Sequence, residues 1–598
     1  MGLFDTIKRE WVYFNGARKT LARIGSIEPD DKIRFADVFE EKVDQFRSNV
    51  VIRFEDDIIT YGELDKRANQ FANWALDQGY GAGDTVALFM DNKPDYLAIW
   101  VGLSKIGVAV ALINNQLQGA GLAHCVSIAD SRAVIVGAEQ VEHFASAREH
   151  LPEGLTAWSH EADMEQSERI DEVLDTYAST RPSPEHRESL RAADLCLYVY
   201  TSGTTGLPKA AKLTQSRVLG MMRSFIDACN ITERDRIYIT LPLYHATGGI
   251  CAVGQAFMTG ASMILKDKFS ATEFWNDAVN YKATSFVYIG ELCRYLVSAK
   301  PHPLEREHRI RTGFGNGMSA DVWEKFIDRF GIEDLIEFYG STEGNVSFVN
   351  FNGKVGAVGR LPPYMRDRIR SRIVKFDVET EKPVRGKDGF CIETEPGEVG
   401  EAIGEITSAP RQRFEGYKDP TQTEKKILRD VFKPGDMWFR TGDLMKMDEH
   451  HFIYFVDRIG DTYRWKGENV STTEVAEALS NYPGIELPNV YGVSLPGTEG
   501  RAGMAAINLT PGSTLHGKDL ATYVDKALPA YARPVFVRVQ PAAETTGTLK
   551  FRKVDLVEQG IEVDEIDDPV YVRLPGSDAY TLLTSEMVDD IEDGKVKL

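Results

Sequence analysis

Leu195-Cys196-Leu197-Tyr198-Val199-Tyr200-Thr201-Ser202-Gly203-Thr204-Thr205-Gly206-Leu207-Pro208-Lys209-Ala210-Ala211-Lys212-Leu213-Thr214 is the stretch whose reading decides the fold. Leu195 to Tyr200 is a β-type run that delivers the chain into a loop. Gly203 and Gly206 permit dihedrals that other residues resist, so successive N–H groups can converge on an anion. Thr201, Ser202, Thr204 and Thr205 add hydroxyl donors, and Lys209 adds a mobile positive charge. All of this suits a polyphosphate. A Walker-type loop would place the lysine directly after the glycine and open a helix. Here Pro208 intervenes and Ala210 to Thr214 reads as a second strand, so the unit is strand–loop–strand and a P-loop NTPase is disfavoured.

Working outward, short β-rich runs alternate with helical stretches. Thr85 to Met90, Ala133 to Gly137, Arg236 to Leu241, Ser285 to Ile289 and Leu335 to Tyr339 read as strands, and Tyr96 to Lys105 as a helix. Ser319 stands as N-cap of a helix from Ala320 to Phe330. The polar, acidic segment 149–188 reads as surface loop and helix. This alternation predicts an α/β fold. The character changes near Gly460. Glu474 to Ser480 and Leu520 to Leu528 read as helices, with strands Val490 to Val493 and Met504 to Leu509, which predicts a small α+β domain. The acidic tail after Gly560 carries no assignable pattern.

The 598 residues carry a net charge of −21, with 27% charged and 43% hydrophobic residues. That balance is globular and excludes wholesale disorder. An acidic chain lacks the basic footprint of a nucleic-acid partner. The six cysteines contain no CxxC pair, so reduced thiols in a cytoplasmic protein are expected rather than a zinc site or a disulfide framework. The most apolar stretch, Val86 to Ile113, is broken by four charged residues and is no membrane span. Leu3 to Ile24 mixes Phe4, Ile7, Trp11, Val12 and Phe14 with Lys8, Arg9, Arg18, Lys19 and Arg23. It reads as a helix packed on its own domain or, alternatively, as a basic amphipathic helix on a membrane surface.

Three further constellations carry chemistry. Phe338-Tyr339-Gly340-Ser341-Thr342-Glu343-Gly344 follows a strand, where α/β sheets place ligands, and combines an aromatic face, hydroxyls and a carboxylate able to hold Mg²⁺. Trp438-Phe439-Arg440-Thr441-Gly442-Asp443 ends in a carboxylate suited to ribose hydroxyls. Leu241-Pro242-Leu243-Tyr244-His245 places a histidine just after a strand.

Together, and in this order, the phosphate loop, the Leu-Pro-Leu-Tyr-His stretch, the Tyr-Gly-Ser-Thr-Glu stretch, Thr441-Gly442-Asp443 and Asp457-Arg458 resemble the adenylate-forming superfamily of acyl-CoA synthetases, luciferases and adenylation domains. Val456-Asp457-Arg458-Ile459-Gly460-Asp461-Thr462-Tyr463-Arg464-Trp465-Lys466-Gly467-Glu468-Asn469-Val470-Ser471-Thr472-Thr473-Glu474-Val475 looks like the signature of the fatty acid transport protein/very-long-chain acyl-CoA synthetase branch, as do Phe286 to Glu291 and Gly315 to Met318. The resemblance implies a large N-terminal lobe of several subdomains, with mixed sheets flanked by helices, over residues 1–456, and a mobile C-terminal domain over 457–598. It implies ligation of a long- or very-long-chain fatty acid to CoA through an acyl-adenylate, using ATP, CoA and Mg²⁺ and releasing AMP and pyrophosphate. Thr201, Ser202, Gly203, Thr204, Thr205, Gly206 and Lys209 would hold the β- and γ-phosphates. Glu343 would bind Mg²⁺ and Thr342 the α-phosphate. Tyr339, followed by Gly340 and Ser341, would stack on adenine, with Gly315, Asn316 and Gly317 along its edge. Asp443 and Arg458 would hold the ribose, and His245 would stand beside the substrate carboxylate.

Thr545-Thr546-Gly547-Thr548-Leu549-Lys550-Phe551-Arg552-Lys553 resembles the family's lysine loop, with Lys550 as the catalytic lysine and Lys553 the competing assignment. Gly460 occupies the hinge position, where the superfamily carries Asp or Lys. Lys466, Gly467 and Glu468 would line the pantetheine path. Three other readings stay open: a bile-acid-like or steroid side-chain carboxylate as substrate, an acyl-AMP ligase serving a carrier protein, and a fatty-acid uptake protein acting by vectorial acylation. Attachment at the inner face of a membrane is compatible with the pattern, and the oligomeric state is open, a dimer included.

Overall fold

The computed structural model describes the chain apart from residues 1–2, 202–206, 379, 467, 497–499, 511, 542–552, 565 and 597. The described residues form two units, each with its own core. The first comprises residues 1–370, 404–429 and 436–439. It contains an eight-stranded sheet in the order Ser347–Val349, Asp334–Gly340, Thr312–Asn316, Ser285–Ile289, Arg236–Ile239, Ser262–Leu265, Val50–Phe54 and Asp57–Thr60. The interior pairs are parallel and the two edge strands antiparallel. A seven-stranded sheet runs Glu168–Arg169, Thr156–His160, Ala133–Gly137, Thr85–Phe89, Ala109–Leu112, Leu195–Thr201 and Lys209–Thr214. Its strands are parallel until the last pair, which turns antiparallel at the strand–loop–strand unit, with Thr201 opposite Lys209.

Parallel strands buried on both faces need apolar runs rather than alternation. Thr85–Phe89, Ala109–Leu112 and Ala133–Gly137 are buried at every position. Helices close the faces. Tyr61–Asp77 begins with a capping box between Thr60 and Glu63, and Pro94–Lys105 carries proline in its first turn. Lys105 ends that helix with its ammonium fully buried against Asp65 (2.5 Å), Glu40 (2.9 Å) and Asn69 (2.7 Å). Removing one partner of such a cluster leaves a buried charge uncompensated, at a cost of about 3–5 kcal/mol.

The second unit comprises residues 371–403, 430–435 and 440–598. It takes in strands Ser371–Asp377 and Phe452–Arg458 and most of Val399–Glu405 and Met437–Met447. A five-stranded sheet follows, in the order Ile485–Ser494, Arg501–Leu509, Phe536–Gln540, Val570–Val572 and Thr581–Leu582. Helices Thr472–Ser480 and Gly517–Ala527 contribute Val475, Leu479, Leu520 and Val524 to the core of this unit. The α/β class is as expected, with two differences in detail. The acidic segment 149–188 supplies a strand, Thr156–His160, with Trp158, Ser159 and His160 buried. Ser319 has extended N-cap backbone, but its hydroxyl donates to Asp321 Oδ1 (2.6 Å) and accepts from the Arg294 guanidinium (3.4 Å) rather than from a helix amide.

Candidate active site

Three parallel strands of the large sheet end together. Tyr288 lies opposite Gly315, and Gly315 opposite Glu337. Their C-terminal ends therefore deliver Gly290, Asn316–Gly317 and Tyr339–Glu343 to one edge, where sheets of this class bind ligands. Gly317 has φ +82, and a Cβ at Gly290 would collide with the Gly317 carbonyl, so both positions need glycine. Asn316 Oδ1 is sealed from solvent and meets no donor among the described residues. A buried acceptor without a partner is costly and points to a ligand donor. Tyr339 stacks on Phe348 with ring centroids 6.1 Å apart.

Glu337 is fully buried beneath this edge. Its Oε2 accepts from the Tyr288 hydroxyl (2.9 Å) and its Oε1 from the Met318 amide (3.1 Å). Burial raises its pKa to about 8, although the bonds from Tyr288, Met318 and Gly317 oppose the shift. The folded state then holds a proton that the unfolded chain has released above the ordinary glutamate range. Stability contributed by this group is present in acid and is lost as pH rises toward 8, because the folded chain binds more protons in that window. Glu337→Gln is expected to flatten that part of the stability–pH curve, as read by denaturation midpoints across the window. An unchanged slope would show that Glu337 ionises normally.

Glu343 is buried and accepts from the Tyr417 hydroxyl at 2.6 Å. Burial and the Glu343 charge push the Tyr417 pKa up, so the phenol stays a donor. Tyr417 is fixed because 416–418 pairs with the second strand of the loop unit: Lys212 N donates to Gly416 O, and Lys418 N to Ala210 O. The Lys209 ammonium stands 5.6 Å from the Tyr417 ring centroid. Burial, with Lys426 and Lys425 nearby, lowers the Lys209 pKa, while Glu343 and Asp419 oppose that shift. Arg217 donates to the carbonyls of Thr342 (2.8 Å), Ser341 (3.1 Å) and Gly344, holding the Ser-Thr-Glu turn by its backbone. The structure thus joins Thr201, Lys209, Ser341, Thr342 and Glu343 in one unit. Ser202, Gly203, Thr204, Thr205 and Gly206 lie outside the described residues.

His245 precedes a π-helical turn, Ala246–Ala252, a geometry concentrated at functional sites. Its ring lies 4.5 Å from that of Tyr244, whose buried hydroxyl meets no partner among the described residues.

In the second unit Asp443 pairs in register with Arg458, and Arg458 Nε approaches Asp443 Oδ1 to 3.8 Å. The strand before Asp443 is held by fully buried Glu401, which accepts from the Arg440 guanidinium (2.7 Å) and the Gly442 amide (3.2 Å). Gly460 is exposed in the turn after Arg458. A Cβ there would meet nothing, so packing does not demand glycine. Lys553 donates to Asp461 Oδ2 (3.0 Å) and to Thr472 Oγ1 (3.1 Å), and Thr472 in turn donates from N and Oγ1 to buried Asp457. Burial raises the Asp457 pKa, and Lys553 opposes the rise. Lys466 has φ +52 in the turn joining Tyr463–Trp465 to Glu468–Val470. Gly467 and Lys550 lie outside the described residues.

Sequence reading missed Glu337, Tyr288, Arg217, Tyr417 and Glu401. Arg217 and Tyr417 act across 125 and 74 residues of chain, and no local pattern marks them. The one available signal was Glu337, a charged residue within the otherwise apolar run Leu335 to Tyr339.

Residues 39–417 match the AMP-binding enzyme family, and residues 474–550 match the AMP-binding enzyme C-terminal domain. Long-chain fatty acid transport protein 6 of Mus musculus is 42% identical over 551 residues, which span 92% of this chain and 88% of that protein. Long-chain fatty acid transport protein 2 of Rattus norvegicus is 41% identical over 94% of this chain and 91% of that protein. The o-succinylbenzoate CoA synthetase of Bacillus subtilis, solved with its acyl-adenylate intermediate, has the same fold, with a TM-score of 0.70 at 20% identity over 89% of this chain and 98% of that one.

Proposed function

We infer the reaction from one premise: the chain belongs to the AMP-binding enzyme family and, within it, to the long-chain fatty acid transport proteins. It is an AMP-forming acyl-CoA ligase. Its acid, in our reading, is a long- or very-long-chain fatty acid. In the first half-reaction a carboxylate oxygen bonds to the α-phosphorus of ATP and the bond to pyrophosphate breaks. In the second the CoA sulfur bonds to the acyl carbon, the bond to AMP breaks, and the thiol proton leaves to solvent.

The observation that carries this reading is the Glu343–Tyr417–Lys209 unit on the strand–loop–strand element. Joining a carboxylate to a polyphosphate brings anions together, so the site must supply charge rather than acid–base help. Lys209, with Lys425 and Lys426 close by, supplies positive charge in a chain of net charge −21. A single buried carboxylate suits Mg²⁺, which keeps waters and takes its other ligands from substrate phosphates. Glu343 would hold that ion, which neutralises phosphate charge when bound. Arg217 fixes the turn from which Thr342 reaches the α-phosphate. The unpartnered Asn316 Oδ1 would accept from the adenine amino group, with Tyr339 against the base. Asp443 and Arg458 would hold the ribose, and His245 would stand at the carboxylate end of the acyl pocket.

We assign residues 457–598 as the cap that turns between the half-reactions about Gly460. It withdraws Lys550 and brings Lys466, Gly467 and Glu468 to the pantetheine. Trapping the acid as its thioester would couple ligation to uptake without a pore. No helix among the described residues is long and apolar enough to cross a membrane, and we place the protein in the cytoplasm, peripheral to a membrane.

The test is a panel of acids from about eight to twenty-six carbons together with a bile acid, scored for AMP release that needs both ATP and CoA. An optimum at sixteen carbons or longer is expected, since burial of each additional CH₂ contributes roughly 0.8 kcal/mol. A bile acid turned over faster than every fatty acid would overturn the substrate assignment.

A further inference from the structure

The helix Leu3–Ile24 uses only part of its circumference for packing. Tyr13, Ala17 and Thr20 are buried, and Tyr13 and Ala17 cluster with Met365. The Tyr13 hydroxyl donates to the Arg360 carbonyl (2.7 Å), Arg360 pairs with Glu10, and Arg23 with Asp227. The helix is therefore held rigidly on its unit, yet its most apolar residues face outward. Phe4 is 79% exposed, Ile7 59%, Trp11 65% and Phe14 43%. At 3.6 residues per turn, these four share an arc of about 100° with Arg18, Leu21 and Ala22. Tyr364, also exposed, meets Phe14 edge-on at 6.4 Å and widens the patch. A contiguous exposed apolar face of this kind marks an interaction surface.

The same arc runs into a groove of about 480 Å³ lined by Arg18, Leu21, Ala22, Ser26, Arg368 and Arg411. Arg411 is oriented by its bonds to the carbonyls of Leu21 (2.7 Å) and Gly25 (2.8 Å). Arg18 and Arg368 are exposed, and the groove holds no carboxylate among its lining residues. Three guanidinium groups thus gather on one face of a chain whose net charge is −21. Lys8 and Lys19 flank the apolar arc on its other side.

We propose that this face docks on an anionic phospholipid bilayer. The helix lies in the plane of the interface, with Phe4, Ile7, Trp11 and Phe14 among the upper acyl chains. The groove of Arg18, Arg368 and Arg411 receives headgroup phosphates. Apolar anchors beside cations are what an interfacial helix requires. Charge complementarity selects lipid over a second copy of the chain, because two-fold pairing of this face would set both arginine groups against each other. The proposal deepens the peripheral placement above and is independent of the ligation chemistry.

The test is flotation of the full-length chain with vesicles of phosphatidylcholine alone and of phosphatidylcholine with phosphatidylserine. At least tenfold stronger binding to the phosphatidylserine vesicles is expected, falling as salt rises. Phe4→Ser/Trp11→Ser should lower that binding at least tenfold. Arg18→Gln/Arg368→Gln should reduce it to the level of phosphatidylcholine alone and remove its salt dependence. AMP release with a short water-soluble acid should be unchanged in both variants, which shows that they fold. Equal flotation of variants and parent, equal binding to both vesicle types, or conversion of a dimer to a monomer by either variant would each overturn the proposal.

Discussion

Lys550→Ala is expected to abolish acyl-adenylate formation while leaving thioester formation from pre-made acyl-AMP largely intact. The first half-reaction gathers charge between the attacking carboxylate and the α-phosphate, and a cation placed there stabilises the transition state more than the ground state. Removing a single preorganised donor from such a site costs roughly 10²–10³-fold in rate, and a full charge should cost at least as much. The second half-reaction breaks an acyl–phosphate ester with a thiol and has no need of that cation. The competing lysine has described partners. Lys553 is tied to Asp461 and Thr472, one residue beyond the Gly460 turn and next to buried Asp457. It therefore braces the start of the C-terminal domain, and Lys553→Ala should slow both half-reactions by similar, smaller factors. Acid-dependent ATP–pyrophosphate exchange and thioester formation from synthetic acyl-AMP measure the two steps separately. Equal loss of both steps in Lys550→Ala, or loss confined to adenylation in Lys553→Ala, would reverse the assignment.

What was legible in the sequence was local. The strand–loop–strand reading of Leu195 to Thr214 needed only Pro208 and the apolar runs on either side, and the antiparallel pair is there. Thr85–Phe89 and Ala133–Gly137 announced themselves as unbroken apolar runs, whereas Ala109–Leu112 and Ser262–Leu265, equally buried but only four residues long, did not. Sheet order did not, because Val50–Phe54 sits beside Ser262–Leu265, more than two hundred residues away. The strand Thr156–His160 escaped because its neighbours are acidic. The tail beyond Gly560 contributes strands of only three and two residues, too short to show a period. At the site, the residues that would touch ligand lay in motifs, whereas those that hold them did not. Arg217 grips the 341–344 turn through carbonyl oxygens, and Glu337 props the glycine edge from beneath. Such support is made by tertiary contact and leaves no spacing to find. The N-terminal helix bears out the packed reading on one face, and its exposed face leaves the membrane reading to the flotation test.

Glu343→Gln is expected to lower the adenylation rate at saturating ATP by at least about a hundredfold and to shift its Mg²⁺ dependence to higher concentration. The amide keeps the shape of the side chain and an oxygen that can still accept from Tyr417, so the change removes charge and little else. Tyr417→Phe makes the complementary change: it leaves the Glu343 charge and removes the 2.6 Å bond that orients the carboxylate. A positioning role for Tyr417 predicts a loss of a few fold, roughly the 1 ± 0.5 kcal/mol of one hydrogen bond, with the Mg²⁺ dependence moved only slightly. Both variants should retain thioester formation from pre-made acyl-AMP, because that step carries no polyphosphate and needs no cation at Glu343. If the Mg²⁺ dependence of Glu343→Gln instead matches the parent while its rate falls, the buried carboxylate serves to hold the loop beside Lys209 and not the ion.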